Sequence, residues 1–197
     1  MYLYEFFRKT LETYICSQIY LNYEIILKKN IINIDISYLK HMIDQFLLNS
    51  WINLNLNSIG DLEIDYHHMV EDLGISIGKI FNFFLPKNKK FYLNRYGSSY
   101  VPLDESLSRV VLDICGRSYL SYNVFYYNMY IKNFNINLFY DFFLSFTNNS
   151  LITIYIDNII GFNIHHIFET IFKSFGLSLR ISLKLNRNIN TSKKIIF

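Results

Sequence analysis

Apolar and polar positions alternate along this chain in two rhythms. Strand-like runs with a two-residue period occur at "TYICSQIYLN", "INLNLN", "SRVVLDICG", "SYNVFYYNMY" and "LITIYID", because successive side chains on a strand face opposite ways. Apolar residues three or four apart predict helices at "ISYLKHMIDQFLLNS", "HHMVEDLGISIGKIFNFF", "NLFYDFFLSFTNN" and "HHIFETIFKSFGLSLRISLK". Gly and Pro cluster at "IGD", "FLPKNKK", "RYGSSYVP" and "ICGRS", which read as turns. Strands followed by helices predict an α/β sandwich (α+β) rather than a helical bundle.

The pattern also repeats. Histidine doublets at His67–His68 and His165–His166 lie 98 positions apart in a chain of 197 residues. Each doublet follows a strand-like run and a glycine, and each opens an amphipathic helix. Two tandem pseudo-symmetric repeats are expected, residues 1–91 and 92–197, with the boundary near "PKNKKFYLN".

Composition narrows the function classes. Hydrophobic residues make up 51% and mean hydropathy is +0.15. Yet no run reaches the roughly 18 apolar residues that a spanning helix needs. Early charges in "MYLYEFFRKTLETY" argue against a signal peptide, so a cytoplasmic protein with no membrane association is expected. Ile, Asn, Lys, Phe and Tyr all have A/T-rich codons, so their enrichment reads as codon bias. The GC content of the encoding genome checks this. The net charge of +3 comes without a Lys/Arg block, so no nucleic-acid partner is expected. Cys16 and Cys115 form no metal spacing with each other and read as small buried residues in a reducing compartment.

The chemistry lies in the doublets, which use four of the five histidines. Adjacent helical residues point about 100° apart, so the two rings cannot readily grip one atom. In H-H-x-x-E the glutamate shares a face with either ring: Glu71 with His67 or His68, and Glu169 with His165 or His166. One doublet therefore offers ligands in two directions, suiting two metal sites or one at a subunit contact. Imidazole plus carboxylate suits Mn, Fe or Zn, and oxygen-rich shells favour the harder ions. There is no H-E-x-x-H, and the strand-rich context does not fit a ferritin-like carboxylate bundle.

The segments "GDLEIDYHHMVEDLGISIGKI", "RYGSSYVPLDESLSRVVLDICGRSYL" and "GFNIHHIFETIFKSFGLSLR" resemble the signatures of imidazoleglycerol-phosphate dehydratases, as do "RKTLET" and "NTSKK". The resemblance runs from about Arg8 to Lys193 in order. It implies a duplicated fold of the ribosomal protein S5 domain 2-like kind. It also implies a homo-oligomer of 24 subunits, with active sites at subunit contacts and two Mn(II) per site. The implied reaction dehydrates imidazole glycerol phosphate to imidazole acetol phosphate in histidine biosynthesis. In the family, the substrate ring is held as a metal-bound imidazolate, an electron sink that lets a diazafulvene-like intermediate form as hydroxide leaves.

Carried over by motif, His67, His68, Glu71, His165, His166 and Glu169 are the expected metal ligands. His41, in "YLKHMIDQ" against the family's "FLDHMLDQ", joins them. Glu12, Glu71 and Glu169 are the expected acid/base groups. Gln45 and Asp104 match substrate-contacting positions, and Arg95, Arg117, Lys173, Thr191 and Lys193 match phosphate-binding ones. Arg109 is expected to serve structure. Three positions depart from the family: Asn49 and Tyr155 stand where it has histidines, and Lys40 where it has an aspartate beside the His41 position. At the end, "NTSKK" replaces "PSTKG". No phosphatase-like segment accompanies the match. A decayed homologue with an assembly role only, or a metal-dependent hydrolase on the same scaffold, are the alternative functions.

Overall fold

The computed structural model describes residues 2–21, 30–85 and 92–186. The first half runs β1 (Tyr2–Lys9), β2 (Thr13–Leu21), β3 (Ile32–Asn33), α1 (Ser37–Ser50), β4 (Asn53–Gly60) and α2 (His67–Phe84). The second opens with β5 (Tyr92–Leu93), β6 (Tyr96–Leu103), β7 (Ser106–Asp113) and β8 (Tyr119–Asn123). It continues through β9 (Tyr130–Ile131), β10 (Phe134–Asn135), α3 (Leu138–Ser150), β11 (Thr153–Ile160), α4 (Ile164–Ser182) and β12 (Leu185–Asn186).

The two halves share one topology. Their four-stranded sheets are ordered β1-β2-β4-β3 and β6-β7-β11-β8, each with two antiparallel pairs and one parallel pair. The parallel pair is joined by a helical crossover in each case, α1 in the first half and α3 in the second, as a parallel connection requires. The expected tandem repeat is therefore present. The expected boundary stretch, residues 86–94, lies mostly outside the described residues.

Alternation decides which face of each sheet is covered. Thr13, Ile15, Ser17 and Ile19 of β2 are buried, and so are Ser106, Ser108, Val110 and Leu112 of β7. The helices lie between the sheets: α2 packs on β1 and β2 and pairs with α3, while α4 packs on β6 and β7 and pairs with α1. The helices thus pair across the halves. Phe46, Phe81, Phe139, Phe142, Phe143, Phe146, Phe168, Phe172 and Phe175 are fully buried in this layer, each contributing about 1.5–3 kcal/mol of apolar burial.

Glycine sets how closely the layers approach. A Cβ on Gly78 would sit 2.6 Å from the Phe146 carbonyl and 2.9 Å from the Asn149 side chain. The same contact recurs in the other helix pair, where a Cβ on Gly176 would collide with the Phe46 carbonyl and crowd Asn49. Asn49 and Asn149 each donate to a carbonyl one turn back, Gln45 and Ser145, at 2.8 Å. Both helices then end in a left-handed residue, Trp51 (φ 58°) and Leu151 (φ 57°). Asn49 thus serves helix packing at an equivalent place in both halves.

Besides the two-residue strands β3, β5, β10 and β12, two long strands were not legible as such. The segment "RYGSSYVP", read as a turn, forms β6, because Gly97 lets the strand press onto α4 and its Cβ would collide with the Ser178 carbonyl. The segment before Thr13, read only for its charges, forms β1 and pairs along its whole length with β2. Cys16 and Cys115 are free thiols, half-buried rather than buried. Among the described residues, no helix is long and apolar enough to cross a membrane.

Candidate active site

Both doublets sit at helix starts fixed by short polar side chains. Asp65 Oδ1 accepts the His67 N–H at 2.7 Å before α2, and Asn163 Oδ1 accepts the His165 N–H at 3.0 Å before α4. These contacts satisfy donors the first helical turn leaves free. Within each doublet the rings diverge, with interplanar angles of 67° for His67 and His68 and 71° for His165 and His166.

The first ring of each doublet turns toward a helix of the opposite half. His165 Nε2 lies 3.1 Å from Glu169 Oε2, and His41 Nε2 of α1 lies 3.6 Å from the same oxygen. The His41 and His165 rings stack at 5.4 Å. One ligand atom from each of His41, His165 and Glu169 falls within 4.8 Å of the others, a spacing able to hold a metal ion. In the equivalent place, His67 Nε2 lies 3.7 Å from Glu71 and its Nδ1 lies 3.5 Å from Asp141 of α3. Asp141 holds the position on α3 that His41 holds on α1, but it faces the ring nitrogen of His67 opposite to the one near Glu71.

The second ring of each doublet turns toward a hairpin of its own sheet. His68 Nδ1 lies 3.6 Å from Glu12 Oε2 and 3.5 Å from Asp61 Oδ2. His166 Nδ1 lies 2.8 Å from Glu105 Oε2, and its Nε2 lies 3.9 Å from Asp104. Each doublet thus serves two clusters, as its divergent geometry predicts.

Charge follows this arrangement. Desolvation works against the charged form of His68, but Glu12, Asp61 and Asp65 together raise its pKa above the ordinary value of 6.5. The Glu105 carboxyl is lowered to about 2, first by the hydrogen bond from His166 and then by backbone and Ser106 donors, against opposing desolvation. Glu169 is lowered as well: desolvation opposes its charge, but Lys173 Nζ sits 2.7 Å from Oε1 and His41 and His165 add to the effect. Glu169 therefore stands as a carboxylate. Tyr38, one turn before His41, packs its ring 5.6 Å from that of His165 and buries a hydroxyl with no hydrogen-bond partner among the described residues.

The remaining expected residues are distributed as follows. Gln45 lies one turn beyond His41 on α1. Arg95 has a left-handed backbone, φ 67°, and forms a two-pronged pair with Asp113 at 2.7 and 3.1 Å, which leaves its Nη1 donors unengaged by that pair. Asp104 is also left-handed, φ 47°, with its side chain 75% exposed. Backbone conformations of this kind cluster at functional sites. Arg117 is exposed on the turn before β8. Lys173 touches the His41–His165 cluster only through Glu169. Thr191 and Lys193 lie outside the described residues. Arg109 pairs with Asp157 at 2.9 Å and donates to the Tyr100 hydroxyl at 3.2 Å, cross-linking three strands.

Tyr155 faces away from the helices and packs on Tyr119 at 5.8 Å, so within this chain it stands apart from the histidine clusters. The Lys40 charge acts on Asp44, opposing the desolvation that raises that carboxyl. A cleft of about 450 Å³ opens beside His67, lined among others by Leu62, Tyr66, Tyr130, Asn133 and Leu138.

Sequence reasoning missed Asp141 and Glu105. Both helices α1 and α3 end in Asn-Ser, at 49–50 and 149–150, and aligning these ends sets His41 on Asp141. That signal was available.

Known proteins resemble this chain in sequence and in fold. The family model described as "Imidazoleglycerol-phosphate dehydratase" matches residues 34–179. A curated imidazoleglycerol-phosphate dehydratase of Laribacter hongkongensis is 47% identical over 149 residues, 76% of this chain and 75% of that one. One of Pseudomonas fluorescens is 42% identical over 182 residues, covering 92% and 90%. The crystal structure of the Staphylococcus aureus dehydratase superposes with a TM-score of 0.80 at 34% identity, covering 94% of this chain and all of that one. The Pyrococcus furiosus structure gives a TM-score of 0.80 at 28% identity, covering 95% and 98%.

Proposed function

Because the chain belongs to the imidazoleglycerol-phosphate dehydratase family, a family of hydro-lyases of histidine biosynthesis, we propose that it works with two Mn(II) per active site, held by the divergent histidine doublets. The observation that carries this reading is the cluster of His41, His165 and Glu169 on two helices of opposite halves. Two imidazoles and a carboxylate form a donor set that suits a borderline-to-hard divalent ion. His67 and Glu71 are the pseudo-equivalent ligands, while Asp141 faces the other ring nitrogen of His67. His68 and His166 supply the outward-facing ligands. When bound, the metal supplies Lewis acidity toward the imidazole ring of the substrate.

The chain's own residues do the rest. The reaction removes a proton from a carbon beside the imidazole and expels a hydroxyl, so it needs groups that can accept and return protons. Glu169 is held ionised by Lys173 and the histidines, which suits it to ligation. Glu12 stands on an exposed hairpin, with its side chain 49% exposed and 3.6 Å from His68, which suits it to moving a proton, with Glu71 as its nearest alternative. Arg95, Arg117 and Lys173, with Thr191 and Lys193, bind the phosphate, where Arg offers a two-pronged fork. Gln45 and Asp104 contact the substrate.

The assembly is a cytoplasmic homo-oligomer of 24 subunits. The exposure of Phe125 (79%), Tyr127 (99%) and Phe162 (79%) supports a covering neighbour. The family match sets aside the hydrolase alternative. Complementation of a histidine auxotroph lacking this dehydratase tests the reading. The wild-type chain restores growth, and His67→Ala and His165→Ala do not. Growth with either variant would overturn the metal mechanism. Metal analysis with a mass measurement in solution checks two Mn(II) per site and 24 subunits.

A further inference from the structure

We propose that Glu105 is a positioning residue, fixing His166 as the tautomer protonated on Nδ1 so that the Nε2 lone pair is presented outward for ligation. The inference rests on the reading of the second doublet as metal-binding. Its basis is the way Glu105 is held. Oε2 sits 2.8 Å from His166 Nδ1. Oε1 accepts the Asn163 N–H at 2.8 Å, the Phe162 N–H at 3.4 Å and the Ser106 hydroxyl at 3.0 Å. A carboxylate with these donors can only accept, so the proton in the His166 contact belongs to Nδ1.

Nε2 is then the only lone-pair nitrogen of the neutral ring. Its neighbours, Asn163 Nδ2 at 3.5 Å and Asp104 Oδ2 at 3.9 Å, are too distant to hold it firmly. The left-handed Asp104 turns the β6–β7 hairpin so that Glu105 reaches back to the start of α4. The matching ring in the first half has no such partner. His68 Nδ1 is buried without a hydrogen bond among the described residues, its carboxylates 3.5 and 3.6 Å away.

A carboxylate behind a ligating histidine sets its orientation and basicity, and losing it typically weakens metal binding by about 10–100-fold. The test is made on the full-length protein. Solid-state NMR on protein carrying isotopically labelled histidine, metal-free, reads the tautomer, with the His166 signal assigned by its loss in His166→Ala. The Nδ1-protonated form is expected in wild type, and finding the Nε2-protonated form overturns the proposal without need of any Glu105 variant. Titration of Mn(II) into Glu105→Gln, at a temperature where the metal-free variant is folded, is expected to give affinity weaker by about 10–100-fold. Unchanged affinity in the folded variant overturns it. The underlying metal reading is tested separately: unchanged Mn(II) affinity in His166→Ala would sink ligation by this ring, whatever Glu105 does.

Discussion

The two halves share strand order, helix pairing and histidine placement, yet they hold their polar groups very differently. In the second half each doublet histidine has a close carboxylate, His166 to Glu105 at 2.8 Å and His165 to Glu169 at 3.1 Å, and Lys173 holds Glu169 at 2.7 Å. In the first half the equivalent histidine contacts all lie at 3.5 Å or more. The interior shows the reverse. Behind the first doublet, buried Asp72 takes Arg8 at 2.6 Å and the Thr13 hydroxyl. At the matching place in the second half stands a neutral pair, Ser108 and Thr170, at 2.8 Å. Duplication conserved where side chains point, while each half found its own way to satisfy buried polarity.

The largest expected break in this comparison is Asp72→Ala. It leaves the Arg8 guanidinium, whose Nε is already buried without a partner among the described residues, facing no countercharge there. A loss of about 3–5 kcal/mol is expected, against about 1 kcal/mol for Thr170→Ala. Urea unfolding of both variants measures the difference, and equal losses would show that the two interiors are energetically alike.

How much of this could be read along the chain depended on range. The doublets, their spacing and the helices they open were legible because periodicity is local. Strand β6 was not, since Gly97 and Ser99 look like turn residues until α4 is laid on them and Ser99 bonds Ser174 and Ser178. Asp141 was not singled out because its partner His67 lies on the other half. Asn49 stands where the family has a histidine, and its equivalence with Asn149 shows that it packs helices.

Acid and alkali sharpen the contrast between the doublets, measured on metal-free protein. Glu105 has its carboxyl lowered from 4.5 to about 2. Its contribution is complete above the unfolded value and is lost as pH falls toward 2. The stability gap between wild type and Glu105→Gln should therefore shrink on acidification below pH ~4.5. His68 is raised above 6.5, so its contribution is complete below that value and is lost as pH rises through the raised one. The gap to His68→Gln should shrink in the alkaline direction. Denaturant midpoints across pH read both slopes, and slopes of the same sign would refute the contrast.

The smallest effect tests what stayed alike. Asn49→Ala and Asn149→Ala each remove one hydrogen bond to the preceding turn and keep the Cβ that faces the helix glycine. Each should cost about 1 kcal/mol, with the two values matching closely. A clearly larger loss at Asn49 would return it to the site.

Helix pairing across the halves also governs when the chain becomes competent during synthesis. His165 and Glu169 lie on α4 and wait for His41 on α1, made far earlier, while His67 and Glu71 wait for Asp141. A half that folded alone would lack part of the proposed set of His41, His165 and Glu169, so metal capture there would report on docking rather than on local folding. A ribosome must release nearly the whole chain before that set is complete, and an ion held by it would lock together segments more than a hundred residues apart.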